Sequence, residues 1–160
     1  MNKWICMMVV LTLVACSTLT PEEKEARKVA RAHAVEKALA DRHYSIDVQM
    51  MYPQRGPAKN ISGNYSLEVK GDTLVSYLPY FGRAFQVPYG GGKGLDFIAV
   101  IGEYSAVKDA KGQTLVTIKV TNEEDTYLYQ LGIFDNGSTT IDVQPKQREP
   151  ISFSGMMADD

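Results

Sequence analysis

The chain has 160 residues, 17 basic and 19 acidic side chains and a formal net charge of −2. That length suits one domain with a real core, and a hydrophobic content of 44% belongs to a folded protein rather than a disordered one. No basic block interrupts the sequence, which argues against a nucleic-acid partner.

The first residues read Met1-Asn2-Lys3, then an apolar run of 11 residues from Trp4 to Val14, then Ala15-Cys16-Ser17. A positive start, a hydrophobic stretch and a small residue before a cut are the parts of a secretory signal. The run falls short of the roughly 20 residues a transmembrane helix needs, so residues 1–15 are expected to be a removable signal peptide. Leu13-Val14-Ala15-Cys16 resembles the lipobox of bacterial lipoproteins. In such a box the thiol of Cys16 accepts a diacylglyceryl group, and Ala15 is small enough for the peptidase that cuts before the cysteine. Two or three acyl chains, each methylene contributing about 0.8 kcal/mol, give stable anchoring. Residue 17 is Ser rather than Asp, which in lipoproteins of this kind favours forwarding to the outer membrane, facing the periplasm. Cys6 would leave with the leader and Cys16 would carry lipid, so the mature chain would hold no free thiol, and disulfides, thiol catalysis and cysteine metal sites are excluded.

Residues 16–20 then form a short linker, and Thr20-Pro21-Glu22-Glu23 is a helix start. Thr20 can cap, Pro21 fits the first helical position and Glu23 completes a capping box. Good helix formers continue, so a helix is predicted over 21–43. Its apolar stripe of Val29, Ala32, Val35 and Leu39 is thin, enough to rest on a sheet but not to hold a core.

From residue 44 the period becomes two. Tyr44, Ile46, Val48, Met50 and Tyr52 alternate with Ser45, Asp47 and Gln49, which predicts a half-buried strand with those five on one face. Pro53, Gly56 and Pro57 break it. Tyr65, Leu67 and Val69 alternate next, and Gly71-Asp72 makes a two-residue hairpin in which Val69 faces Leu74 and Tyr65 faces Leu78. Further strands are predicted over 95–101, 104–109, 113–121, 126–134, 138–143 and 151–154. Their connections carry turn residues, Lys111-Gly112, Asn122 to Asp125 and Asp135-Asn136-Gly137. Short strands joined without helices mean an antiparallel meander. The predicted fold is therefore mainly β, about eight strands over 44–155 forming a sandwich or a small barrel after one N-terminal helix, with a tail over 156–160.

The stretches Tyr77 to Ala84, Pro88 to Gly94, Ile133 to Ser138 and Ile151 to Gly155 together resemble a bacterial lipoprotein family, the domain of unknown function 4251. The resemblance runs from about His33 to Gly155. It implies lipid anchoring and an envelope location, and it carries no catalytic residue over.

The segment 79–94 is the candidate site. It is long for a connection in a compact domain, and it sets Tyr80, Phe81, Phe85 and Tyr89 among glycines, with Tyr77 just before it. Those aromatics could hold an apolar ligand, and Arg83 or Lys93 an anionic group; alternatively they plug one end of the β domain. Gly90 to Gly94 is not a nucleotide loop, because Gly94 follows Lys93 where Ser or Thr is required and a strand comes next. His33 and His43 have no third ligand beside them, no Gly-x-Ser-x-Gly elbow occurs, and the acids Glu123, Glu124, Asp125 and Asp135 lack calcium-loop spacing. No catalytic residue, metal or cofactor is assigned. Asp72-Thr73-Leu74 matches the Asp-Thr-aliphatic pattern used for O-glycosylation in bacteria that carry the family, which marks Thr73 at a hairpin tip. These readings converge on a non-enzymatic envelope module that binds a small apolar ligand or an envelope protein. The alternatives are a glycan hydrolase working through loop carboxylates and a structural subunit pairing through a strand edge.

Overall fold

The computed structural model describes residues 20–86 and 92–159. Helix α1 spans Pro21–Asp41, and its first turn is closed as the sequence dictates. Thr20 Oγ1 accepts from Glu23 N–H, and the Glu23 carboxylate accepts from Thr20 N–H, so both orphan donors are met. The helix stops two residues before the predicted 43. Arg42 adopts a left-handed conformation (φ 50°) and its N–H closes back on Leu39 O, freeing His43 to enter the sheet. His43 therefore belongs to the β domain rather than to the helix.

Nine strands follow: β1 His43–Pro53, β2 Lys59–Asn60, β3 Ser66–Lys70, β4 Thr73–Leu78, β5 Leu95–Lys108, β6 Gln113–Thr121, β7 Thr126–Phe134, β8 Ser138–Pro145 and β9 Ile151–Met157. All pairings are antiparallel, and β1 pairs with β9 as well as with β3. Eight strands thus close into a barrel, with β2 an outer hairpin partner of β1. Closure decides between the two architectures the sequence leaves open, because it leaves no second sheet to pack on the first. β9 continues to Met157, so the tail begins at 158 and not 156.

The hairpin at Gly71 has the expected register, Val69 opposite Leu74, and the ladder ends at Ser66 opposite Tyr77, before Tyr65. The segments 95–101 and 104–109 are not two strands but one. β5 pairs with β4 only over Leu95–Val100 and with β6 only over Ile101–Lys108, and an irregularity between Ile101 and Glu103 marks the change of partner. A similar bulge lies in β1 between Val48 and Met50. It reverses the inward parity: Tyr44, Ile46 and Val48 are buried, then Met51, while Met50 is half-buried and Tyr52 exposed. The five-residue face predicted from alternation is therefore correct only up to Val48.

Inward side chains of every long strand fill the interior. Ile46, Leu67, Leu74, Leu95, Ile118, Tyr127, Tyr129, Ile141 and Phe153 are almost wholly excluded from solvent. The helix seals one end: Val35 and Leu39 join this core, while Val29 stands in solvent. Arg31 fixes the helix there, donating to Asn136 O and Met157 O and pairing with Asp159. Arg42 lies 4.3 Å from the centre of the Tyr104 ring, whose hydroxyl meets that of Tyr44 at 3.3 Å. No helix among the described residues is long and apolar enough to cross a membrane.

Candidate functional site

The opposite end of the barrel is covered by the segment after β4, and buried polar groups hold that segment in place. Asp125, in the β6–β7 turn, accepts from the N–H groups of Thr126, Lys146 and Gln147 at 2.7–3.1 Å, which ties the turn to the β8–β9 connection. Glu124 accepts from Lys93 N–H at 3.0 Å and from Arg148 Nη2 at 2.6 Å. The Arg148 side chain is only 5% exposed and that of Glu124 19%, so this ion pair is largely withdrawn from solvent. Gly92 lies against it: a Cβ there would come within 2.6 Å of Arg148 Nη2 and 2.8 Å of Glu124 Oε2. Part of the glycine run thus answers to close approach, and Gly94 to a positive φ of 71°.

The segment also makes strand-like bonds to the β8–β9 connection. Phe85 N–H donates to Gln147 O at 2.7 Å and Glu149 N–H to Arg83 O at 2.9 Å, bridging Ala84 to Arg148. The Tyr80 hydroxyl donates to Glu149 O at 2.9 Å, and the Arg148 guanidinium lies 5.6 Å from the centre of its ring. Burial pushes the Tyr80 phenol above its ordinary pKa, against the opposing pull of Arg148.

The residues singled out in the sequence are divided by this geometry. Tyr80 is a half-buried part of the scaffold. Tyr77 points out from the barrel wall and stacks on Tyr65 with ring centres 5.3 Å apart. Phe81 and Arg83 share a cleft of about 210 Å³ with Pro53, Arg55, Lys59, Gly82 and Glu149. Phe85 overhangs a separate groove along β8 and β9, lined by Gln130, Asp142, Gln144 and Ser152. Lys93 borders a third depression, beside Ile98, Val100 and Glu123. Thr73 opens β4, its hydroxyl donating to Asp72 Oδ1 at 3.1 Å. Tyr89 and Cys16 lie outside the described residues. Arg148, Glu124, Asp125 and Glu149 organise this end, yet the sequence gives each only the look of a polar turn residue. Arg55 and Lys59, from the β1–β2 hairpin, are brought to Phe81 by the fold alone.

Phe81 is 53% and Phe85 68% exposed, so they do not plug the barrel. The plug is made from inside by Tyr127 and Tyr129, with Phe97 stacked on Tyr127 at 4.7 Å. Tyr129 is pushed far above the ordinary phenol range by burial, and its hydroxyl meets Ser76 Oγ at 3.0 Å. Among the described residues, the concavities of this end therefore lie on its outside, beside Phe81, Phe85 and Lys93.

The family model that matches is the domain of unknown function DUF4251, over residues 26–157, and the chain belongs to that family. No curated protein matches. Among solved structures the chain is similar to a DUF4251 family protein from Bacteroides eggerthii DSM 20697, whose crystal structure was determined at 1.95 Å. The two are 13% identical with a TM-score of 0.60, over 83% of this chain and 90% of that one. At that identity the likeness concerns the fold alone.

Proposed function

We propose that this protein is a non-enzymatic binding module of the bacterial envelope, anchored through acyl chains on Cys16 and facing the periplasm from the outer membrane. The loop end of the barrel is its recognition surface, taking a ligand or an envelope protein. One observation carries this reading: the interior is filled, while Phe81 and Phe85 stand exposed on a segment stapled to the scaffold. Exposed aromatics on a rigid support lose little entropy on binding, which is what a recognition surface needs. Three carboxylates of this end argue against the hydrolase alternative. Asp125, Glu124 and Glu149 are already engaged by main-chain N–H groups and arginines.

The anchor sets the orientation. Only four residues separate Cys16 from Pro21, and a chain spans at most about 3.6 Å per residue. The start of α1 is thus held near the bilayer, and the helix-sealed end of the barrel lies nearer to it than the loop end. A Cys16→Ser variant should lose the acyl mass and the cut before residue 16, and a variant processed and fractionating just as the wild type does would remove the anchor from the proposal. The intact mass of the same native protein also checks Thr73: a mass equal to polypeptide plus lipid excludes a glycan there.

The strand-edge alternative has its own support, since Glu103–Lys108 of β5 pairs only with β6 and carries the exposed Val107. A photo-crosslinking residue placed in cells at position 85 or 107 separates the two. Adducts at 85 that vanish with Phe81→Ala support the loop end. Adducts at 107 alone would replace it with the strand edge.

A further inference from the structure

The cleft around Phe81 has a composition unlike the rest of the molecule. Three cations line it, Arg55, Lys59 and Arg83, against one carboxylate, Glu149, in a chain whose net charge is −2. Glu149 offsets only one of them. Its side chain is 13% exposed, Oε2 accepts from Arg83 N–H at 3.2 Å, and Oε1 meets Arg55 at 3.4 Å. Arg55 makes that pair through Nε, which leaves its terminal N–H groups for another acceptor. Lys59 Nζ stands 4.3 Å from the centre of the Phe81 ring, and among the described residues neither it nor the Arg83 guanidinium reaches a carboxylate within 4.0 Å. Like charges converging on one small concavity repel each other, and an anion between them relieves the repulsion.

The ring fixes what kind of anion. Phe81 is half-exposed and Pro53 lies beside it, so the cleft offers an apolar surface as well as donors. A bare phosphate would use the cations and leave the ring wet. An aliphatic chain would use the ring and leave the cations unmet. A sugar ring bearing one negative group uses both, its C–H face on Phe81 and its carboxylate or phosphate among Arg55, Lys59 and Arg83. The volume of about 210 Å³ has room for one such unit.

We infer that the Phe81 cleft binds an anionic monosaccharide unit, a sugar acid or a sugar phosphate, free or as the terminal residue of an envelope glycan. The inference rests on the loop end being the recognition surface, and it names the ligand class of one part of that surface.

Calorimetric titration tests it, using protein purified from its own envelope in a neutral polyoxyethylene detergent. The probes are glucuronate, glucose 6-phosphate, glucose and inorganic phosphate. At least one of the two anionic sugars should bind with a Kd of roughly 1 mM or tighter, and which one does so separates carboxylate from phosphate. Glucose and inorganic phosphate should bind at least tenfold more weakly than that sugar, a tenfold step being about 1.4 kcal/mol. Lys59→Ala and Phe81→Leu should each weaken binding about tenfold with thermal melting unchanged, both side chains being at the surface, and added salt should weaken it further. Equal binding of phosphate or of glucose would overturn the assignment, as would no binding by either anionic sugar. If both anionic sugars fail while adducts at position 85 persist, the inference falls and the recognition surface stands. If an anionic sugar binds and no adduct forms at 85, the partner reading falls instead.

Discussion

At Gly155 the backbone of β9 lies against that of β1 with no room for a side chain. A Cβ there would collide with Asp47 O and stand 2.9 Å from Asp47 C and 3.0 Å from Val48 Cα. The obstacle is main chain, so relief requires the strand itself to move. The position sits opposite Val48, at the bulge where β1 shifts register against β9 and the barrel closes. Gly155→Ala should therefore cost about 3 kcal/mol, the upper end of ordinary overpacking, read as a lowered urea midpoint. Gly102, at the bulge of β5, makes the contrast: its nearest neighbour would be Lys119 O at an ordinary 3.5 Å, and Gly102→Ala should cost less than about 1 kcal/mol. Equal losses at the two sites would mean that closure does not depend on this close approach. The bulge in β1 is also why alternation fails to place Met50 and Tyr52. Met51, apolar between Met50 and Tyr52, is the one side-chain sign within residues 44–52 of the extra backbone residue that reverses their parity.

Among the elements, the segment after β4 is held less by its own residues than by those it meets. Arg148 and Glu124 form the largely buried joint between that segment, the β6–β7 turn and the β8–β9 connection. Removing one member of such a pair strands the other charge, at a cost of about 3 kcal/mol or more, whereas replacing both with apolar residues is often neutral. Glu124→Leu should thus destabilise the protein by about that amount, and adding Arg148→Met should recover most of it. Denaturation of the four members of the cycle measures this, and simple additivity would show that the pair does not act as a unit. Elements of this kind were only half legible. The hairpin at Gly71, the strands from Gln113 onward and the helix start at Thr20 follow from local chemistry, because alternation, turn residues and capping act over a few positions. The helix was legible as a helix but not as a seal, since its thin stripe buries only Val35 and Leu39 and Arg31 adds a polar clamp. The site was legible as an aromatic, glycine-rich stretch. Arg55 and Lys59, which give the Phe81 cleft its charge, arrive from a hairpin more than twenty residues upstream, and Arg148 from more than sixty residues downstream.

The molecule as a whole encloses phenols where a small barrel usually encloses aliphatic side chains, and that choice gives it a pH limit. Tyr44, Tyr127 and Tyr129 are buried, Tyr80 partly so, and burial raises all four above the ordinary value of 10.0. For Tyr44 the facing Tyr104 hydroxyl adds to the rise, while Ser76 at Tyr129 and Arg148 at Tyr80 and Tyr127 oppose it. The sign follows from which state keeps its protons. Above about pH 10 the unfolded chain ionises these phenols and the folded barrel does not, so the unfolded state binds fewer protons and stability falls as pH rises. Below pH 10 both states are protonated and the contribution is complete. The prediction is an alkaline unfolding transition in which the phenolate absorbance of Tyr44 and Tyr129 appears together with loss of the β-sheet circular dichroism. Tyr129→Phe should flatten the dependence of stability on pH above 10, because one proton-retaining group is gone. It should cost about 1 kcal/mol at neutral pH through the lost bond to Ser76, whose own hydroxyl still donates to Leu95 O. Phenolate absorbance from Tyr44 and Tyr129 rising through pH 10 while the circular dichroism stays intact would mean that water reaches the interior, and the filled barrel would have to be abandoned with it.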